Sequence, residues 1–193
     1  VMQGANDVEA SLGWRIFSPT KDEVEASISA GFLPPEDSGE LPIRCFLPLS
    51  YPVGREDSRV SGPMWIGQMG DAETMASMTE ESVLQMCAPT FEEADIAGWS
   101  QTDFEAETRR LIRAIRHISE EATVISGHHL IAVDELASWQ EKGSPPSPRR
   151  MVELLKEKGH SAAISHYAEP SLRTDAPWAD IVAALREVSA TNV

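Results

Sequence analysis

The stretch "PRRMVELLKEKGHSAAISHYAEPSLRTDAPW", Pro148 to Trp178, decides the fold. Met151, Leu154 and Leu155 recur at helical spacing, so one face of a helix is apolar. Ser147-Pro148 opens that helix, because proline suits the first helical position. Gly159 closes it. "HSAAISHY", His160 to Tyr167, predicts a strand. A loop carrying Arg173 and Thr174 follows, and Thr174 or Asp175 is expected to cap a last helix that has Pro177 in its first turn. Trp178, Ile181, Val182 and Leu185 mark the buried face of that helix.

Upstream, Ser100 or Thr102 begins the clearest helical pattern, with Leu111, Ile112, Ile115 and Ile118 as its apolar stripe. Arg109, Arg113 and Arg116 share another face of the same helix, flanked by Arg110 and His117. They read either as a solvated face, with Glu105 paired to Arg109, or as a ridge that tracks phosphates. "HHLIAV" predicts a strand, and Asp134 is expected to cap the short helix "ELASWQ". The order helix, strand, helix, turn, helix, strand, loop is that of a winged helix, placed at residues 100–193.

Residues 1–99 predict a smaller mixed α/β unit, so the fold class is α+β. "EASLGWRIF" reads as a strand, and "KDEVEASISAGF" as a helix closed by Gly31. In "IRCFLPL", Ile43, Cys45 and Leu47 alternate onto one face of a strand. "GPMWIGQMGD" reads as a short buried strand. Asp71 then caps one continuous helix, "AETMASMTEESVLQMC", with Met75, Met78, Val83 and Met86 inward.

The 193 residues carry a net charge of −15, which opposes nucleic-acid binding if the charge is spread evenly. It is not. Residues 1–100 hold 5 of the 16 Lys and Arg, and the other 11 follow. No apolar run reaches the length of a membrane span, and no signal peptide is visible. Cys45 and Cys87 have no metal-ligand spacing, so two buried thiols in a reducing cytoplasm are expected and zinc is not. His128 and His129 point to opposite faces of a strand and do not suit a shared metal. Glycine-rich phosphate loops, HExxH and GxSxG are absent from the sequence. An arginine, a histidine and a helix N-terminus converge at His166–Asp175, which suits an anion such as phosphate.

Four blocks in order resemble the tRNA guanine-N2 dimethyltransferases that methylate guanine 26. "GPMWIGQMGD" resembles their Gly-Pro-(Leu/Ile)-Trp-(Leu/Ile)-Gly block, and "HHLIAVDELAS" their Tyr-Tyr-Asp-(Ile/Leu)-His-Glu-Leu-Ala stretch. "PPSPRRMVELLKEKGHSAAISHYAEPSLRTDAPW" resembles their run from Pro-Pro to Lys-Thr-Asp-Ala-Pro. "GANDVEASLGW" is similar to the segment after the catalytic domain. Where the family has Arg-Thr-His-Phe, this chain has Ile164-Ser165-His166-Tyr167, and Arg173 stands for the family's lysine before threonine. The four-Cys zinc knuckle of many members has no counterpart here, only Cys45.

The resemblance covers only the C-terminal half of the family. It implies a tRNA-positioning region, inactive alone, whose partner is the family's Rossmann-like methyltransferase domain. That domain binds S-adenosylmethionine. No cofactor is expected in this chain, and its Val start fits a sequence beginning after that domain. Arg149, Arg150, Lys156, Lys158, His166, Arg173 and Thr174 are the expected tRNA contacts, with His117 and the Arg109 ridge as second choices. His166 and Arg173 are expected to face outward, so that Arg173→Ala leaves folding nearly unchanged. The alternative is a winged-helix module that binds a protein partner or acts as a regulator, without enzymatic activity.

Overall fold

A strand with Ile16 and its neighbour with Cys45 and Leu47 can bury those side chains only if a third element covers them. In the computed structural model that element is the first helix. The structure describes residues 11–35, 40–54, 56–67, 70–127, 129–140, 144–167 and 170–191. Strands β1 (Leu12–Phe17), β2 (Arg44–Pro48) and β3 (Val60–Trp65) form an antiparallel sheet in the order β2-β1-β3. Ile16 lies opposite Cys45 on β2 and Val60 on β3. Helix α1 (Lys21–Ser29) begins in a Thr20/Glu23 capping box and ends at Gly31, whose φ of +78° suits glycine. Its Val24 packs on Ile16, Cys45 and Leu47, and Ser27 Oγ donates to the Phe46 carbonyl at 2.7 Å. The opposite face of the sheet carries Arg15 and Phe46, which are partners in the β1–β2 register.

The single helix expected after Asp71 is two. Asp71 does cap α2 (Ala72–Ser77), accepting from Thr74 N–H. Met78 then turns to extended ψ, and Thr79 with Ser82 builds a new cap for α3 (Glu80–Cys87). Met75 is buried, but Met86 is 83% exposed and α3 buries no residue fully. Cys87 is exposed, so only Cys45 is a buried thiol, and burial pushes it up to about 12. β3, expected to be buried, buries no residue fully, and its Trp65 is exposed. A further helix, α4 (Phe91–Ile96), precedes the long α5 (Gln101–Glu121), which starts in a Ser100/Asp103 capping box. Of the expected stripe on α5, Ile115 is buried and Leu111, Ile112 and Ile118 are half-buried.

The second antiparallel sheet has β4 (His129–Ala132), β5 (Ala162–Ile164) and β6 (Ser171–Thr174) in the order β4-β6-β5. Between β4 and β5 come α6 (Val133–Trp139) and α7 (Pro148–Glu157), and α8 (Trp178–Thr191) closes the chain. Asp134 sits inside the first turn of α6 and is not its cap. Pro148 occupies the start of α7 as its position suggests. Gly159, at φ +93°, ends it, with His160 N–H on the Leu155 carbonyl and Gly159 N–H on that of Lys156. Met151, Leu155, Leu172, Trp178, Ile181 and Leu185 are the centre of the larger core. The stretch expected as a loop after Tyr167 is therefore partly a strand. Leu172 and Arg173 pair with β4 on one side and β5 on the other.

The two sheets meet through Arg44, which donates to the Leu130 carbonyl at 2.9 Å and pairs with Glu135 at 3.2 Å. Ile43, beside it, joins the larger core. The described residues thus form a mixed α/β fold with two three-stranded antiparallel sheets. Among the described residues no helix is long and apolar enough to cross a membrane. Gly4–Ala10 of the first resembling block, His128, and Glu141–Gly143 of the turn before α7 lie outside the described residues.

Candidate nucleic-acid interface

Helical periodicity places Arg109, Arg113 and Arg116 on one side of α5. It also places Arg149 and Lys156, two turns apart, on one side of α7. The fold turns these two sides toward each other. Between them lies a cleft of about 590 Å3. All five cations and His117 line it, over an apolar floor that includes Ile112, Val152 and Ile164. Two carboxylates, Glu120 and Glu153, also reach it, so positive charge is in excess. Arg109 is 3.7 Å from Glu105, and Arg116 is 2.8 Å from Glu80 of α3. Arg113, Arg149 and Lys156 have no ion pair among the described residues. Exposed cations with no carboxylate to satisfy them are available to an external anion.

A second cluster is closed. Glu121 ends α5 and is 0% exposed. An acid in the last turn opposes the helix dipole, so it needs compensation. Arg173 Nε donates to its Oε1 at 2.7 Å, and Ser165 Oγ donates to the same oxygen at 3.0 Å. The other oxygen accepts from His166 N–H at 3.0 Å and lies 2.6 Å from His166 Nδ1. Burial alone would raise the Glu121 carboxyl. The hydrogen bonds from Arg173 and His166 outweigh it and hold the group below the ordinary carboxylate range.

The expected contact residues therefore separate. Arg149 and Lys156 line the cleft. Arg150 is turned to Glu153 and Glu157 at 3.2 and 3.8 Å, and Lys158 lies 3.9 Å from Glu187. Arg173 does not face outward. It is 8% exposed and held by Glu121. His166 is exposed at its edge but commits Nδ1 to the same carboxylate. Thr174 is buried, accepting from Ala176 N–H and donating to the Ser161 carbonyl, and Asp175 accepts from Ser161 N–H. The two bonds to Ser161 tie the end of β6 to the residue before β5. Glu121 was not singled out in the sequence. Its signal there is a charge three residues after Ile118, on the stripe that faces the core.

Residues 52–186 match the sequence profile of N2,N2-dimethylguanosine tRNA methyltransferase. The chain belongs to that family. It is 24% identical over 175 residues to the tRNA (guanine(26)-N(2))-dimethyltransferase of Thermococcus kodakarensis, covering 90% of this chain and 39% of that protein. The enzyme of the same description from Aeropyrum pernix is 24% identical over 130 residues, covering 67% of this chain and 28% of its own length. That from Methanosphaerula palustris is 26% identical over 124 residues, or 64% and 28%. The chain thus spans between about a quarter and two-fifths of these dimethyltransferases. The solved complex of Trm1 from Pyrococcus horikoshii with S-adenosyl-L-methionine shares the fold, with a TM-score of 0.52 and 12% identity. That alignment covers 93% of this chain and 36% of the Trm1 chain.

Proposed function

We propose that this chain is the C-terminal, tRNA-positioning part of a tRNA guanine-26 N2-dimethyltransferase, with methyl transfer carried out by the family's Rossmann-like domain. The observation that carries the reading is the cleft between α5 and α7. In a chain of net charge −15, five cations converge there with two carboxylates. Contacts of that kind fix the position of a nucleic acid without reading its sequence. Arg149, Lys156, Arg113 and Arg109 take phosphates. Arg150, Lys158 and His166 lie outside the cleft lining, and Arg173 and Thr174 support it from within.

The strand order β4-β6-β5, with α6 and α7 between β4 and β5, supports a winged-helix reading of residues 100–193. In it α7 is the recognition helix and the β5–β6 connection is the wing. Residues 1–99 then form the smaller mixed unit. The methyl donor belongs to the Rossmann-like half. S-adenosylmethionine carries a sulfonium cation, and the arginines that line the α5–α7 cleft and the cavity between the two sheets do not suit it. The soluble, cytoplasmic setting of tRNA processing fits the same reading.

The test is tRNA binding as a function of salt. Replacing Arg113, Arg149 and Lys156 together by Ala should weaken binding and lower the salt slope by roughly three, about one for each phosphate no longer neutralised. An unchanged slope overturns the reading. The net charge of −15 favours a protein-binding module as the second reading, under which the unaltered chain has no salt-dependent affinity for tRNA.

A further inference from the structure

The two sheets enclose a second cavity of about 480 Å3, within the usual range of ligand pockets. One wall is the face of the first sheet that α1 leaves uncovered, with Arg15 on β1, Arg44 and Phe46 on β2, and Trp65 at the end of β3. The other wall comes from the second half of the chain, with Leu130 of β4, Arg173 of β6 and Tyr167 beyond β5. No carboxylate lines it among the described residues.

We infer that this cavity takes one unpaired nucleotide of the tRNA, its base against Trp65 and Tyr167 and its phosphate at Arg15. The inference deepens the tRNA-positioning reading and rests on it, but it concerns a different site from the α5–α7 cleft.

Three observations support it. First, Arg15 is an unbalanced cation. Its Nε is buried with no hydrogen-bond partner among the described residues, and its guanidinium lies over the Phe17 ring at 5.1 Å. Arg44 nearby is a like charge, already committed to Leu130 and Glu135. Of the three guanidiniums that line the cavity, Arg44 and Arg173 are ion-paired, so Arg15 is the one left to favour an anionic occupant where no described carboxylate lines the walls. Second, two flat side chains at the cavity are solvent-exposed. Trp65 is 46% exposed and Tyr167 is 67% exposed, and both line the cavity. Aromatic faces beside arginine are how proteins hold splayed-out RNA bases. Third, the backbone is shaped around these groups. The register of β1 against β3 shifts between Gly13 and Arg15, and such irregularities re-aim side chains. A Cβ at Gly67, which also lines the cavity, would come 2.8 Å from Ser11 and 3.0 Å from the Trp65 ring, so the chain beside that ring is packed too closely for a side chain.

The test compares pentaadenylate with an abasic pentamer of equal charge, using the whole chain and a fluorescent label on the RNA. Pentaadenylate should bind about tenfold more tightly, the scale of one stacked base. Trp65→Ala should abolish that preference, and Trp65→Phe should retain most of it. Trp99→Ala, which removes a tryptophan outside the cavity, should not change it. Arg15→Gln should weaken both pentamers. Unchanged melting temperatures show that the variants are folded. If Trp65→Ala fails to fold, Tyr167→Ala, at a more exposed ring, decides in its place. Equal binding of the two pentamers overturns the inference, as does a preference that survives both aromatic substitutions. AMP binding as tightly as pentaadenylate also overturns it, because the site would then serve a free nucleotide. The cleft is judged by the tRNA salt slope and the cavity by the base preference, so either can fail alone.

Discussion

Arg113 and Arg173 are the same residue type in opposite surroundings. Arg113 stands in an open cleft with other cations and has no ion pair among the described residues. Arg173 lies within a sheet, hydrogen-bonded to a carboxylate that water does not reach. The first arrangement costs the free protein stability through like-charge repulsion and leaves charge available to a partner. The second arrangement uses the charge internally. It fastens the end of α5, one wall of the cleft, to β6 and to the β5–β6 connection. A basic residue in a family motif can thus be spent on holding the fold and not on an external partner.

The largest effect expected from this contrast is on stability. Glu121→Ala removes the acceptor shared by Arg173, His166 and Ser165 and leaves a guanidinium buried. Breaking a buried pair on one side typically costs about 3–5 kcal/mol. Denaturant unfolding should show a loss of that order, and Arg173→Ala a comparable one. The double variant should lose much less than the sum, because neither group is then stranded. A loss within about 0.5 kcal/mol for Arg173→Ala, as expected of an exposed side chain, would make Arg173 an outward-facing contact after all.

A smaller, graded effect is expected with pH. The folded state holds the Glu121 carboxyl below its ordinary value of 4.5, through the Arg173 and His166 bonds that outweigh burial. A carboxyl depressed on folding contributes stability that is fully present above the unfolded value and is lost as pH falls through the folded one. Unfolding midpoints should therefore decline below about pH 4.5. The decline should be shallower in Glu121→Gln, which cannot titrate at this position. Parallel curves for the two proteins would mean that other carboxylates govern acid unfolding.

What the sequence disclosed follows the range of the forces involved. The start of α7 at Pro148, its end at Gly159, and the alternation of Ile43, Cys45 and Leu47 are set by neighbours along the chain, and they were readable. β6 reads as a loop in the sequence, since "SLRT" is short and follows Pro170. Only the two strands that flank it make it a strand. The break between α2 and α3 was local, and Thr79 was its signal, but the continuing Met and Val pattern concealed it. The site was legible in part. The arginines of α5 and the basic residues of α7 were each visible, whereas their convergence depends on helix packing that no local pattern encodes. Nothing near Arg173 in the sequence marks it as buried, because its partner, Glu121, is distant along the chain. Arg15 looked like one more strand residue, since the wall facing it comes from the second half of the chain.

The finest test uses neighbours on α7. Arg149 and Arg150 are adjacent and have the same charge, so composition cannot distinguish them. Helical geometry does. Arg149 faces the cleft with Lys156, while Arg150 is turned to Glu153 and Glu157. Both are exposed, so either alanine variant should change stability by no more than about 0.5 kcal/mol. The ion pairs of Arg150 add little to this, because exposed pairs contribute about 0–1 kcal/mol. Binding should separate them. Arg149→Ala should lower the salt slope for tRNA by roughly one, and Arg150→Ala should leave it near the starting value. Long-range attraction acts on both residues, so overall affinity at low salt falls slightly in each variant, and the slope is the quantity to compare. Equal slopes for the two variants would mean that tRNA is held by the general field of α7 and not by phosphates seated in the cleft.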